Sequence, residues 1–166
     1  NHLEADALFF TDGNWFDDNR DLIAAFRGDV YTVCRRAKAT MPDKIKRIEN
    51  VHRPDFTIGE TPMKDGRSSG HRAISLGILL GGAPVIGLGY DMRLDAEGRS
   101  HCHNDYERRH HPELYTQDFI PAFEGWNAAA KAAGVRVINA TPDSALEEFE
   151  RADLDAVLDE LERRYA

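Results

Sequence analysis

Short apolar runs bounded by turn residues alternate along this chain with amphipathic stretches, and that alternation constrains the fold more than any other feature. Parallel strands need crossover connections, and a helix that covers a sheet needs one apolar stripe. The pattern therefore predicts an α/β domain with a mostly parallel central sheet. Four runs read as strands: "DALFF" (6–10), "DVYTVC" (29–34), "PVIGLGY" (84–90) and "VRVINA" (135–140). Helices are expected over 15–26, 68–82, about 116–133 and 153–165, and "TPDSALEEF" (141–149) reads as a turn that opens a short helix. The stretch 40–67 is irregular and rich in Pro and Gly, with a weak strand near "IKRIE" (45–49).

The helix over 68–82 has the clearest boundaries. Ser68 or Ser69 can cap its exposed amides, Gly81 and Gly82 stop it, and Ala73, Ile74, Gly77, Ile78 and Leu80 give it a broad apolar surface. In the terminal helix the apolar stripe is Leu154, Val157, Leu158 and Leu161.

A chain of 166 residues is long enough for one domain with a real core and too short for two, so residues 1–166 read as a single unit. No apolar run approaches the roughly 20 residues of a membrane span. The net charge of −8 argues against nonspecific attraction to a nucleic-acid backbone. Arg35, Arg36, Lys38, Lys44, Lys46 and Arg47 form either a local positive face, which keeps nucleic-acid binding open, or a solvated loop. Two cysteines, Cys34 and Cys102, cannot make a disulfide framework, which points to a reducing cytoplasm. The chain starts at Asn1 without a secretory signal and enters a strand-like run almost at once. Part of an N-terminal unit is expected to be missing.

Ligands of open parallel sheets bind outside the carboxyl ends of the strands. "TDG" (11–13), "GYD" (89–91) and "NATP" (139–142) would then share one rim. Asp12 there either contacts a ribose or a metal, or caps a helix; Trp15 and Phe16 either stack on a base or belong to the core. "GRSSGHRA" (66–73) places small residues at a helix start, where free amides and a partial positive charge suit a phosphate, although no GxxxxGK[ST] is present.

"HCHND" (101–105) concentrates His101, Cys102, His103 and Asp105 in a histidine-rich loop of about 91–114. Three readings stay open for it. His103 beside Asp105 has the makings of a general base, the two histidines with Asp91 and Asp105 could hold a divalent metal, or the segment is a polar loop. Cys102 would point away from the histidines in an extended segment, which disfavours structural zinc.

"SSGHRAISLGILLGGAPVIGLGYDM" (68–92) carries Ser-Gly-x-x-Ala, a helix, Leu-Gly, an apolar strand and Gly-x-Asp. It resembles the 6-hydroxymethylpterin pyrophosphokinase-like (MptE-like) family and, more distantly, the Campylobacter-type sialyltransferases. With "HCHNDY" and "INATPDSAL" it is similar to uncharacterised proteins of phage and prophage. The resemblance implies a Rossmann-like three-layer sandwich, here lacking the first strand and glycine-rich turn of its relatives, that binds a nucleotide at the strand ends and transfers part of it. It places Ser69, Gly70 and Asn1 on the nucleotide, with His101 or His103 as base, and Ser68 beside them belongs to the same expected site. Asp12, Gly13, Tyr90, Asp91 and Asn139 complete the expected nucleotide site, and Asp91 with Asp105 the expected Mg²⁺ site. The resulting expectation is a cytoplasmic transferase, in a phage or its bacterial host, that uses a nucleotide or nucleotide sugar as donor and, in the leading reading, moves a glycosyl group to a hydroxyl acceptor. Two alternatives are a Mg²⁺-dependent pyrophosphokinase and a nucleotide-binding accessory protein without turnover, and a homo-oligomer stays open.

Overall fold

The computed structural model describes residues 5–35, 42–100 and 111–166. Its elements run β1 (Ala7–Phe10), α1 (Gly13–Asp18), α2 (Arg20–Ala25), β2 (Asp29–Thr32), β3 (Ile45–Arg47), β4 (Asn50–Val51), β5 (Met63–Lys64), α3 (Ser69–Leu79) and β6 (Val85–Gly87). There follow α4 (Pro112–Leu114), α5 (Trp126–Ala132), β7 (Val137–Asn139), β8 (Glu150–Arg151) and α6 (Leu154–Tyr165). This is a mixed α/β protein in which every described pairing is parallel, as the alternation predicts. The strands form three small sheets, β1-β2-β3, β4-β5 and β6-β7-β8, rather than the single central sheet expected from the sequence.

Register explains how the first sheet is covered. Leu8, Phe10, Val30, Thr32, Ile45 and Arg47 share one face because Leu8 pairs with Val30, Phe10 with Thr32, Val30 with Ile45 and Thr32 with Arg47. On that face Phe10 and Val30 meet Phe16 and Ile23 of α1 and α2. The opposite face carries Phe9 and Tyr31, which pack with Leu76 and Leu79 of α3, Val33, Ile48 and Met63.

Helix α3 also serves the largest core. Its Ile74 and Ile78 stand on the side away from Leu76 and pack with Phe123, Trp126, Val137 and Leu146. A side chain at Gly77 would press to 3.3 Å on Val85, so this glycine allows α3 to lie close on β6. Phe123, Ile78, Ile138 and Leu146 are fully enclosed, and burying each is worth roughly 1.5–3 kcal/mol. The expected apolar surface of α3 shifts accordingly. Ala73 and Leu80 face solvent, whereas Leu76, Leu79 and the polar His71 and Ser75 are buried.

Three further expectations are corrected. The helix over 15–26 breaks at Asn19, whose side-chain amide donates to the Trp15 carbonyl (2.8 Å) and ends α1 before α2 begins. The helix over 116–133 divides into a π-helical turn Tyr115–Phe119, a 3-10 turn Pro121–Phe123 and α5. Pro121 has no amide proton to continue a helical ladder, and Gly125 turns with φ +78°. No helix forms over 141–149. The turn there leads instead to β8, which Arg136 ties to α6 through Glu150 (2.6 Å) and Glu160 (2.7 Å). In α6, Val157 is buried but Leu158 is exposed. No helix among the described residues is long and apolar enough to cross a membrane.

Candidate functional site

The start of α3 is built from three residues that hold one another. Ser68 is extended (φ −126°, ψ 168°) and its hydroxyl accepts from the His71 amide (3.4 Å), which makes it the N-cap expected of it. The same oxygen lies 2.8 Å from His71 Nδ1. The ring's tautomer decides which of the two donates there, because the hydroxyl oxygen can accept from the amide and still either donate to Nδ1 or accept from it. A side chain at Gly66 would sit 2.3 Å from the His71 Cβ, so only glycine lets the entering turn lie this close. Ser69 and Gly70 present amides with no hydrogen-bond partner among the described residues, at the positive end of an eleven-residue helix.

Tyr90 joins this helix start to two loops. Its hydroxyl donates to the Gly70 carbonyl (2.9 Å), and a side chain at Gly70 would come to 3.1 Å from its ring. Burial pushes the Tyr90 hydroxyl well above its ordinary pKa, so it remains a donor. The Tyr90 amide donates to Thr141 Oγ1 (2.9 Å), and Ser144 Oγ donates to the Tyr90 carbonyl. The Ala145 amide reaches the Asp91 carbonyl at 2.8 Å. The loop after β6 and the loop after β7 are thus laced together, and each carries a non-glycine residue in the left-handed region, Met92 and Asp143, both at φ +52°. Such backbone costs on the order of 1 kcal/mol or more and persists only where its surroundings over-determine it.

Asn139 explains why these loops hold their shape. It is 3% exposed, and its amide donates to Ser144 Oγ (2.9 Å) and the Leu146 carbonyl (3.2 Å) while its oxygen accepts from the Thr141 amide (3.1 Å). Its side chain is engaged within the protein, organising the turn rather than facing a ligand. Asp91, in contrast, is exposed on the loop, near enough to Tyr115 for its charge to help raise that phenol, after burial. The Tyr115 hydroxyl reaches the Ser100 carbonyl (3.4 Å).

Other expected site residues fall elsewhere. Asp12 is the N-cap of α1 and accepts from the amides of Asn14 (2.7 Å) and Trp15 (3.2 Å), with Gly13 opening the helix. No described hydrogen bond or ion pair links either to the Ser68–Tyr90–Asn139 group, so the capping reading of Asp12 holds. Phe16 is core and Trp15 packs against it. Asn1, His101, Cys102, His103 and Asp105 lie outside the described residues. Among the described residues no three His, Cys, Asp or Glu side chains are grouped to hold a metal.

The described members of the basic patch, Arg35, Lys44, Lys46 and Arg47, are divided among different surroundings. Lys44 donates to the carbonyls of Ile23 (2.6 Å), Ala24 (3.2 Å) and Phe26 (2.9 Å) at the end of α2, and Lys46 pairs with Asp29 (2.7 Å). Arg35 and Arg47 instead line a cleft, and Arg36 and Lys38 lie outside the described residues.

His71 is the buried residue that sequence reasoning missed. Its ring is fully enclosed, stacked 3.5 Å from Phe123 and edge-on to Trp126. Burial, and then the nearby Arg72 charge, lower its pKa to about 4 against smaller upward pulls from the Ala122 carbonyl, Asp118 and Asp65. Nε2 nevertheless has no partner of hydrogen-bond geometry among the described residues. Comparison with known proteins adds no relative: no family model, curated protein or solved structure matches the chain.

Proposed function

We propose that this chain is a nucleotide-dependent transferase that moves a glycosyl group from a nucleotide sugar to a hydroxyl acceptor on a Rossmann-like α/β domain in the cytoplasm. One observation carries the reading: Tyr90 bonds the start of α3 to the loops after β6 and β7, so free amides and strand-end loops converge. Strand ends beside a helix start are where parallel α/β proteins hold phosphorylated ligands. The 68–92 resemblance to nucleotide-using transferases agrees with that placement.

In this reading the donor phosphates lie against the Ser69 and Gly70 amides, and the exposed Asp91 accepts from a sugar hydroxyl. His103 or His101 takes the proton of the acceptor hydroxyl as its oxygen attacks the anomeric carbon. The bond from that carbon to the phosphate oxygen breaks, and the departing nucleotide keeps the electron pair. Amides already aimed at the phosphate stabilise that charge. His71 is not this base, since its ring is sealed under Phe123.

Thermal denaturation against a panel of nucleotides and nucleotide sugars, with and without Mg²⁺, tests the proposal, because a ligand bound only by the folded state raises Tm by mass action. Ser69→Asp should fold as well as the parent, since an acidic residue suits the first helical turn, yet abolish the nucleotide-induced shift by repelling phosphate. A panel that leaves Tm unchanged overturns the reading. Turnover that disappears with EDTA would favour the pyrophosphokinase, with Asp91 and Asp105 on Mg²⁺.

A further inference from the structure

A polar hollow lies away from the α3 start, at the carboxyl ends of β2 and β3. It has a volume of about 340 Å³ and is lined by Val33, Arg35, Arg47, Glu49, Asn50 and Val51 among others. Arg47 is the last residue of β3 and pairs in register with Thr32, the last residue of β2; Arg35 follows three residues later. Both guanidinium groups are without an ion pair or hydrogen bond to any described residue. Lys46 is taken by Asp29, whereas Arg47, at the end of β3, lines the cleft.

We propose that this cleft binds the phosphate group of a phosphorylated small molecule, with Arg35 and Arg47 as the recognising pair. A planar guanidinium offers two parallel donors that match two phosphate oxygens, and two such groups in one hollow outweigh the single carboxylate of Glu49. Buried Val33 and Ile48 form a dry wall that reduces screening of those charges. Glu49 lines the same cleft and supplies an acceptor for hydroxyl groups on the rest of the ligand. The volume is at the small end for ligand sites, which fits one phosphate on a compact carrier rather than a polymer. The chain's net charge of −8 repels anions in general, so an anion held here is held by local geometry.

The cleft is also wired to the α3 start. Burial would raise the Asp65 carboxyl, yet hydrogen bonds from Arg72, the Gly66 amide and the Asn50 side chain outweigh it and hold the group below its ordinary pKa. Arg72, 2.7 Å from Asp65, belongs to the first turn of α3. One chain of polar contacts therefore runs from the cleft wall to the helix start.

The proposal stands whether or not the transferase reading does, and the test separates them. Pyrophosphate and ribose 5-phosphate are titrated calorimetrically into the wild type, Arg35→Gln, Arg47→Gln and Glu49→Gln at constant ionic strength. All four proteins are repeated in a Ser69→Asp background, which removes any helix-start contribution, and circular dichroism confirms the fold. Saturable binding that survives Ser69→Asp is expected, weakened about tenfold or more by either arginine change, as loss of a charge-assisted hydrogen bond implies. Glu49→Gln should tighten it by a fewfold. Binding that is insensitive to both arginine changes, no binding above the chloride control, or tighter binding of a single-stranded oligonucleotide would each overturn the proposal.

Discussion

His71 should make this protein sensitive to mild acid, and the size of the effect follows from its surroundings. In the unfolded chain its imidazole titrates near 6.5, whereas in the folded protein burial between Phe123 and Trp126 holds it to about 4. Between those values the unfolded state binds one more proton than the folded state. Stability from this residue is therefore fully present above pH 6.5, falls as pH drops towards 4, and levels off below it. At about 1.4 kcal/mol per pH unit the loss is roughly 2 kcal/mol at pH 5 and about 3 kcal/mol in full. Urea unfolding of the wild type and His71→Leu at half-unit steps from pH 7.5 to 4.5 isolates the contribution, because Asp65, Arg72 and Asp118, the charged groups that face this ring, are common to both. The wild type should lose stability more steeply by about one proton's worth between pH 6.5 and 4.5. Parallel curves, or an imidazole that titrates near 6.5 by NMR, would refute the account.

Asn139→Ala should cost about 2–3 kcal/mol, because it strands the Thr141 amide and the Leu146 carbonyl in a buried turn; denaturant midpoints check this, and a loss below 0.5 kcal/mol would mean that the turn holds without it. Phe123→Ala removes the ring that covers His71 and meets Trp126 and Phe149, and chemical denaturation should report roughly 3–5 kcal/mol. The same variant should bring the pKa of His71 back towards 6.5 by NMR, since its ring would meet water.

The strands and the start of α3 were legible because they rest on local chemistry. Val30, Tyr31 and Thr32 favour extended backbone, and a serine followed by a glycine and an apolar run announces a capped helix. What local pattern could not report was tertiary choice. Thr141 and Ser144 had the look of a helix start, yet their hydroxyl groups found partners in the neighbouring loop at Tyr90. Nothing near Asn139 indicated that its amide would be used up inside the fold, and nothing in "GHRA" indicated a histidine sealed under phenylalanine. The basic patch showed the converse: Lys46 and Arg47, neighbours along β3, part company, one taken by Asp29 and the other lining the cleft. The one stretch whose three readings began open, 101–105, keeps them, because it lies outside the described residues.

Helix α3 inserts Leu76 and Leu79 into one apolar cluster and Ile74 and Ile78 into another. It works as a ridge beam under two roofs, with Ser69 and Gly70 at its exposed end. Whatever grips the beam at that end holds a helix on which both apolar clusters lean.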